Sequence, residues 1–341
     1  MPQHMTYAKA GVNQKKENLA VRTICAILEK TLRFREGKIG TVMEDMGFFA
    51  NVVDIGDFAL AICTDGVGTK VLVAQELERY DTIGMDLVAM NVNDIICLGA
   101  EPIGMVDYLA MERTDPALAR EIGIGICEGA KQAGIVVIGG ETATLSEVIR
   151  GIDNKGFELA GTAIGIVKKD KIINGEKISV GDIVLGFSSS GIHCNGLTLA
   201  RHILPKDMWN MLMVPTRIYV KEVMELINRF DVHGLANITG NGFGNLNRLK
   251  TRLGFYLDRL PEPQMVFKKI QEMGPVEDKE MYHTFNMGIG FCVIVGKKDA
   301  DSIIAEYGSK YNLKVIGRVV EEPGVKIVKN GKTICEIIDY S

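Results

Sequence analysis

The chain has 341 residues, a length that suits two domains of ordinary size. Hydrophobic residues at 47% and charged residues at 24% supply enough apolar chain for full cores and exclude a disordered or collagen-like polymer. Lys plus Arg number 39 against 43 Asp plus Glu, a net charge of −4 with no basic block, and aromatics are only 6%, so a nucleic-acid-binding surface is disfavoured.

Residues Asn13 to Phe34 carry Leu19, Ile24, Ile27, Leu28 and Leu32 at helical spacing between charges, which predicts an amphipathic helix. Val52–Ile55 and Phe58–Thr64 read as strands joined by a tight turn at Gly56-Asp57. Lys70–Tyr80 and Asp81–Leu98 read as consecutive helices, and Pro102–Met111 as a strand. Asp115-Pro116 opens a helix to about Gln132, an N-cap followed by proline in the first turn. Ile135–Ile138 is expected to be a short buried strand ending at Gly139-Gly140, and Phe157–Val167 a further strand. Polar residues Lys168 to Gly181, with turns at Asn174-Gly175 and Val180-Gly181-Asp182, place a domain boundary near Lys168. Beyond it, strands are expected at Ile183–Phe187, Arg252–Leu257, Gly290–Val295 and Lys314–Val320. Helices are expected at Asn195–Leu204, Thr216–Arg229, Pro263–Met273 and Ala300–Tyr307. The alternation gives an α/β (α+β) protein with domains at 1–168 and 169–341.

The seven cysteines form no CxxC pair, and most sit in apolar runs, so buried small side chains in a reducing cytoplasm are expected rather than disulfides or zinc. The residues before the first expected helix show no apolar signal-peptide stretch, so none is expected. The longest uncharged apolar stretch, Thr284–Gly296, is too short to span a bilayer, so no membrane partner is expected.

Familiar phosphate and hydrolase signatures fail. Gly331-Lys332-Thr333 lacks the upstream glycine of a P-loop, Gly240-Asn241-Gly242 misses the GxGxxG spacing at Asn245, and neither HExxH nor GxSxG occurs. Glycine, at 38 residues, exceeds its usual share of about 7% and clusters in turns. Thr64-Asp65-Gly66-Val67-Gly68-Thr69-Lys70 follows a strand and opens a helix. It is either a plain turn capped by Asp65, or a phosphate turn in which Lys70 supplies a cation and a magnesium ion bridges Asp65 to the anion. Asn91-Val92-Asn93-Asp94 puts poor helix formers inside an apolar helix, as a solvated face or as a carboxylate that needs a metal. Gly139-Gly140-Glu141-Thr142 ends a strand, the usual place for an α/β site, or is a simple turn with an exposed acid. Ser188 to Gly196, containing Ser189, Ser190, Gly191, His193, Cys194 and Asn195, joins a strand to a helix and suits a polar or anionic ligand, with His193 either a proton carrier or a structural side chain. Thr239-Gly240-Asn241-Gly242-Phe243 and His283 to Gly290, with Asn286, are further glycine loops. Together these features describe a protein that binds a phosphorylated ligand with magnesium.

The ordered set resembles the phosphoribosylformylglycinamidine cyclo-ligase (aminoimidazole ribonucleotide synthetase) family. Tyr7–Val12, Thr64–Lys70, Asp81–Asp94, Gly99–Pro102, Gly139–Ala143, Ser189–Gly196, Pro215–Val220 and Met281–Gly288 carry the resemblance, from Tyr7 to about Val320. The resemblance implies ATP-dependent closure of formylglycinamidine ribonucleotide to aminoimidazole ribonucleotide, with ADP and phosphate released. It also implies ATP and magnesium (Mg2+) as cofactors, a cytoplasmic homodimer whose N-terminal mixed sheets pair into a barrel, and a C-terminal α/β sandwich. Carried over by position, Asp65, Asp94 and Glu141 hold metal. Asp65, Gly66, Gly68, Thr69, Lys70 and Asn93 meet ATP phosphates. Ser189, Ser190, Gly191, His193, Asn195, Thr239, Gly240 and Asn286 line the substrate side, and His193, Asp94 and Lys70 are the catalytic candidates. The alternatives are an ATP-binding sister enzyme of the same superfamily and a non-catalytic ATP-binding scaffold. Three departures stand out: Met46-Gly47-Phe48-Phe49-Ala50-Asn51 where relatives have a glycine-richer ATP-covering loop, Asn241 for a usual glycine, and Cys194 for a usual serine.

Overall fold

The computed structural model describes residues 14–44 and 46–338. The Tyr7–Val12 match, Asn13 and the terminal Asp339–Ser341 lie outside them. Two mixed sheets divide the chain. The first contains β1 (Asn51–Asp54), β2 (Phe58–Gly66), β3 (Glu101–Met111), β4 (Val136–Thr144) and β5 (Phe157–Lys168), in the order β1-β2-β5-β3-β4. Its pairs are antiparallel except β3 with β4. That parallel pair is joined by α4 (Pro116–Ala133), because parallel neighbours need a crossover. Asp115 caps this helix by accepting from the backbone N–H groups of Ala117 and Leu118, and Gly134 ends it in the left-handed region.

The helix α1 (Gln14–Leu32) precedes the sheet, while α2 (Lys70–Leu77) and α3 (Ile83–Ile96) follow β2. Helix α3 lies on β2 and β5, and α4 packs against α3 at backbone contact. A Cβ on Gly84 would lie 2.2 Å from the Ile126 nitrogen, and one on Gly125 2.4 Å from the Asp81 carbonyl oxygen, so side chains there would force the helices apart. This close seat fixes the helix that carries Asp94.

Alternation along the strands sends Ala61, Cys63, Met105 and Leu109 toward the helices and leaves Ile62, Val106 and Tyr108 exposed on the other face. The sequence reading of a short buried strand at Ile135–Ile138 is corrected here. Strand β4 continues to Thr144 at the sheet edge, and Val136, Val137 and Ile138 are exposed because no layer covers them within the chain.

The second sheet runs β12 (Lys332–Ile337), β11 (Gly324–Lys329), β8 (Gly254–Leu257), β10 (Leu313–Val320), β6 (Ile183–Ser188), β9 (Ile289–Val295) and β7 (Val232–Asn237). It is antiparallel except for β11 with β8, and every residue of β9 is buried, as a central strand requires. Around it lie α5 (Leu197–Ile203), α6 (Val220–Ile227), α7 (Met265–Met273), α8 (Asp278–Thr284) and α9 (Lys297–Tyr311). Strands β7, β11 and β12 and helix α8 are additional to the sequence reading. Helix α6 begins at Val220 rather than Thr216, because residues 214–219 spend their polar backbone groups on side chains of both sheets' layers.

Cys63, Cys97, Cys194, Cys292 and Cys335 are buried, Cys127 is exposed, and the cysteines are free. Among the described residues no helix is long and apolar enough to cross a membrane.

Candidate active site between the two sheets

Asp65 stands near the end of β2 on the helix-facing side. The Asn91 side chain fixes its backbone, accepting from the Asp65 N–H at 3.1 Å and donating to the Asp65 carbonyl at 3.3 Å. The Asp65 carboxylate accepts from the Gly66 N–H at 2.7 Å. One turn of α3 beyond Asn91, Asp94 accepts from the Asn237 side-chain amide, 2.8 Å away on β7 of the other sheet. Burial, and then the Asp65 charge, push Asp94 up to about 7, while the Asn237 hydrogen bond and Arg248 oppose the rise. Burial also raises Asp65, against the Gly66 hydrogen bond and Arg248. Two desolvated carboxylates facing each other are uncomfortable alone, and a cation between them removes the repulsion.

This donor set fits magnesium, which takes one or two protein carboxylates and completes its shell with phosphate oxygens and water. A closed cage is absent: among the described residues no cluster of three His, Cys, Asp or Glu is placed to hold a metal. Glu141 departs from the sequence expectation. It pairs with Tyr108 in the β3–β4 register, so it projects with Tyr108 on the sheet's outer face, where it accepts from the Thr142 N–H. The side chain that shares the inner face is Asp107, opposite Gly161, which also pairs with Asp65. Burial raises Asp107 too. Gly140 is obligatory beside it, since a Cβ there would lie 2.2 Å from Asp107 Oδ1.

Gly66 ends β2, Gly68 and Thr69 lie in the turn between β2 and α2, and Thr69 Oγ1 meets Thr198 Oγ1 of α5 at 3.2 Å. Lys70 does not face that turn. Its ammonium is fully buried, 2.9 and 2.8 Å from the two oxygens of Asp86, and donates to the Val214 carbonyl at 2.8 Å. Asn93 is likewise turned away from the phosphate turn, donating to the Arg217 carbonyl and accepting from the Tyr219 N–H. Both residues therefore join the two halves rather than presenting donors to a phosphate.

On the second half, Ser189 donates its N–H to the Gly288 carbonyl and receives the Gln264 side chain on its own carbonyl. Ser190 Oγ donates to the Pro215 carbonyl at 2.6 Å. Asn286 clamps the loop by donating to the Gly191 carbonyl and accepting from the Gly288 N–H. His193 is buried at φ 61°, and its Nε2 accepts from the Ser190 N–H at 3.4 Å. Burial, with Lys70 and Arg217 adding positive charge, pushes His193 down to about 3. A neutral imidazole whose Nε2 accepts from Ser190 anchors the loop. Since the unfolded chain binds this proton near pH 6.5 and the native chain only near 3, the unfolded state takes up the proton first as pH falls. Stability from this residue is thus present above pH 6.5 and lost downward through the window, by roughly 3–5 kcal/mol. Replacing His193 by Asn, which tolerates positive φ, should flatten the pH dependence of urea unfolding between those limits; an unchanged slope would show that the ring ionises natively.

Asn195 lies beside Gly240, with a Cβ on that glycine only 3.0 Å from Asn195 Oδ1. Thr239 accepts from the Asn245 amide. Asn195 Nδ2 and Asn245 Oδ1 are buried without partners, a donor and an acceptor left open where these loops meet. Sequence reasoning missed Asp107, Asn237, Asn245 and Arg248. Arg248 bears on both acids electrostatically, and its guanidinium lies 5.1 Å over the Phe49 ring, so the 46–51 segment is tied down through a buried phenylalanine.

Two family matches cover most of the chain: AIR synthase related protein, N-terminal domain, over residues 48–167, and AIR synthase related protein, C-terminal domain, over residues 179–330. Fold and sequence together define a two-domain protein of the AIR synthase related class. Similar solved folds include a HypE–HypF complex (TM-score 0.65, 20% identity, 92% of this chain and 99% of that one). Another is AaThiL complexed with AMPPCP and TMP (TM-score 0.63, 17% identity, 91% and 93%), and a third is T. maritima PurL complexed with ATP (TM-score 0.60, 18% identity, 91% and 48%). The phosphoribosylformylglycinamidine cyclo-ligase of Thermococcus kodakarensis is 47% identical over 339 residues, 96% of this chain and 99% of its own length. The enzyme of that name from Methanocaldococcus jannaschii is 45% identical over 357 residues, 98% of each chain. The chain belongs to the phosphoribosylformylglycinamidine cyclo-ligase family.

Proposed function

We infer that the protein closes the imidazole ring of 5-aminoimidazole ribonucleotide from formylglycinamidine ribonucleotide, with ATP converted to ADP and phosphate, in de novo purine biosynthesis. The observation that carries this reading is the Asp65–Asp94 pair, with Asp65 held by Asn91 of α3 and Asp94 by Asn237 of the second sheet. ATP phosphates lie against the Gly66–Thr69 turn and the acid pair. The substrate lies against Asn195, Thr239 and Gly240, whose neighbourhood keeps an open donor and an open acceptor.

The formyl oxygen is a poor leaving group. Transfer of the terminal phosphoryl makes it a good one; the neighbouring amidine nitrogen then bonds to the formyl carbon, loses a proton, and phosphate departs. Asp65 and Asp94 would hold magnesium, which would supply charge neutralisation for the phosphates. The chain's own part is positioning: Asn91 fixes the Asp65 backbone, Asn237 orients the Asp94 carboxylate, and His193, Ser190 and Asn286 hold the substrate loop in shape. The exposed apolar face bearing Ile62, Val106 and Tyr108 suits pairing with a second copy, and Glu141 projects from that same face. The reading places this homodimer in the cytoplasm.

The direct test is incubation with formylglycinamidine ribonucleotide, ATP and magnesium, following aminoimidazole ribonucleotide and ADP together. Both should form in equal amounts and both should stop on chelation. ATP binding with neither product would reassign the chain to a sister activity or a scaffold.

A further inference from the structure

The segment Met213–Tyr219 has no regular secondary structure and lies between the two halves of the site. From the first half, α3 and its approaches grip it repeatedly. Asp86 Oδ1 accepts from the Thr216 N–H at 2.7 Å and from Thr216 Oγ1 at 2.6 Å. Lys70 donates to the Val214 carbonyl at 2.8 Å, Thr82 Oγ1 to the Met213 carbonyl at 3.4 Å, and Asn93 holds both Arg217 and Tyr219. From the second half, the substrate loop grips the same segment. Ser190 Oγ donates to the Pro215 carbonyl, and Cys194 Sγ lies 3.5 Å from Thr216 Oγ1. The segment answers with Arg217 and the Tyr219 hydroxyl, both donating to the Ser188 carbonyl, at 3.0 and 3.2 Å. A Cβ on Gly290 would lie 2.0 Å from the Tyr219 hydroxyl and 2.6 Å from His193 Cε1, so the strap has no room to slide.

We propose that Thr216, held by Asp86, is a positioning residue for ring closure: its hydroxyl sets the register of the substrate loop 188–196 against the Asp65–Asp94 pair. The inference rests on the functional reading above and extends it to residues outside the ligand-facing turns. Helix α3 carries Asp86, Asn93 and Asp94 within three turns, so the helix that presents a metal-facing acid also anchors the strap. Thr216 Oγ1 is the atom that touches both sides, Asp86 at 2.6 Å and Cys194 at 3.5 Å. A reaction that joins a phosphoryl donor on one domain to an acceptor on the other depends on that register, since a misplacement of about 1 Å costs on the order of a hundredfold in rate.

The test compares Thr216→Val, which keeps shape and the backbone hydrogen bond but loses the hydroxyl, with Thr216→Ser, which keeps the hydroxyl. Turnover should fall roughly tenfold to a hundredfold in the valine variant, with the KM for ATP within about threefold of wild type. The serine variant should restore turnover to within about threefold. Amide hydrogen exchange gives a readout independent of activity: residues 188–196 should exchange at least about fivefold faster in Thr216→Val and at the native rate in Thr216→Ser. Unchanged turnover and unchanged exchange in the valine variant would overturn the proposal. So would equal losses in both variants, which would make the side chain a packing element. If the wild-type protein forms no product, the functional reading fails, and the exchange comparison alone decides whether the hydroxyl registers the loop.

Discussion

Asp94→Asn should lower ring-closing turnover by on the order of a thousandfold while leaving the fold as stable as before, or more so. The carboxylate is buried and shares its surroundings with Asp65, and together these raise it to about 7. An asparagine of the same shape still accepts from Asn237 through its side-chain oxygen, and it ends the repulsion with Asp65. Without metal, therefore, thermal unfolding should shift upward or stay put. Magnesium, which should raise the wild-type midpoint by binding only the native state, should lose that effect in the variant. The checks are parallel calorimetry with and without magnesium and the coupled product and ADP assay. Near-native turnover in Asp94→Asn would remove this residue from the metal site, and a collapse of the fold would make its role structural.

Asp86→Asn should destabilise the protein by about 3–5 kcal/mol, because it leaves the Lys70 ammonium buried with no counter-charge. Both side chains of the pair are 0% exposed, so water cannot step in. The asparagine oxygen can still accept from Thr216, which confines the damage to the lost charge. Adding Lys70→Met takes the stranded charge away, and the double variant should recover more than half of the loss, about 2 kcal/mol or more. Urea unfolding followed by tryptophan emission reads this directly, since Trp209 is buried in the same half as the strap. Equal stabilities for Asp86→Asn and the double variant would mean that Lys70 finds another partner or water. The same pair gives Lys70 a buried partner that its sequence neighbourhood does not reveal. A lysine just after a glycine turn looks the same in sequence whether it faces the turn or folds beneath it. Here Asp86, sixteen positions on, decides the matter, and no local pattern announces it.

What could be read in the sequence was what local chemistry enforces. Strong alternation made β2, β3 and β5 visible, and Asp115-Pro116 marked a helix start at which the structure has Asp115 as the N-cap. Strand β7 escaped because His233 and Gly234 break its apolar run, and β11 and β12 because lysines decorate an edge. The site was legible where glycine and acid coincide, as at Asp65 and in the Ser189–Asn195 loop. It was illegible where a residue gains its meaning from the opposite sheet. Asp107 sits in an ordinary strand, Asn237 at the end of another, and Arg248 five residues past Phe243 of the Thr239–Phe243 loop. Glu141 was assigned by motif and then moved by parity, since a one-residue step along β4 changes the face of the sheet.

The linker after β5 divides the sheets but not the energetics. A half-chain ending at Lys168 would keep Asp86 and Lys70 while losing Val214 and Thr216, and would keep Asp94 while losing Asn237. Its core could close, yet its most polar interior would open onto water. The two halves are thus modular in topology and cooperative in assembly: neither can be exchanged for a foreign counterpart unless the strap and its sockets travel together. The acid pair of the first half and the 188–196 loop of the second meet only where the two halves are docked.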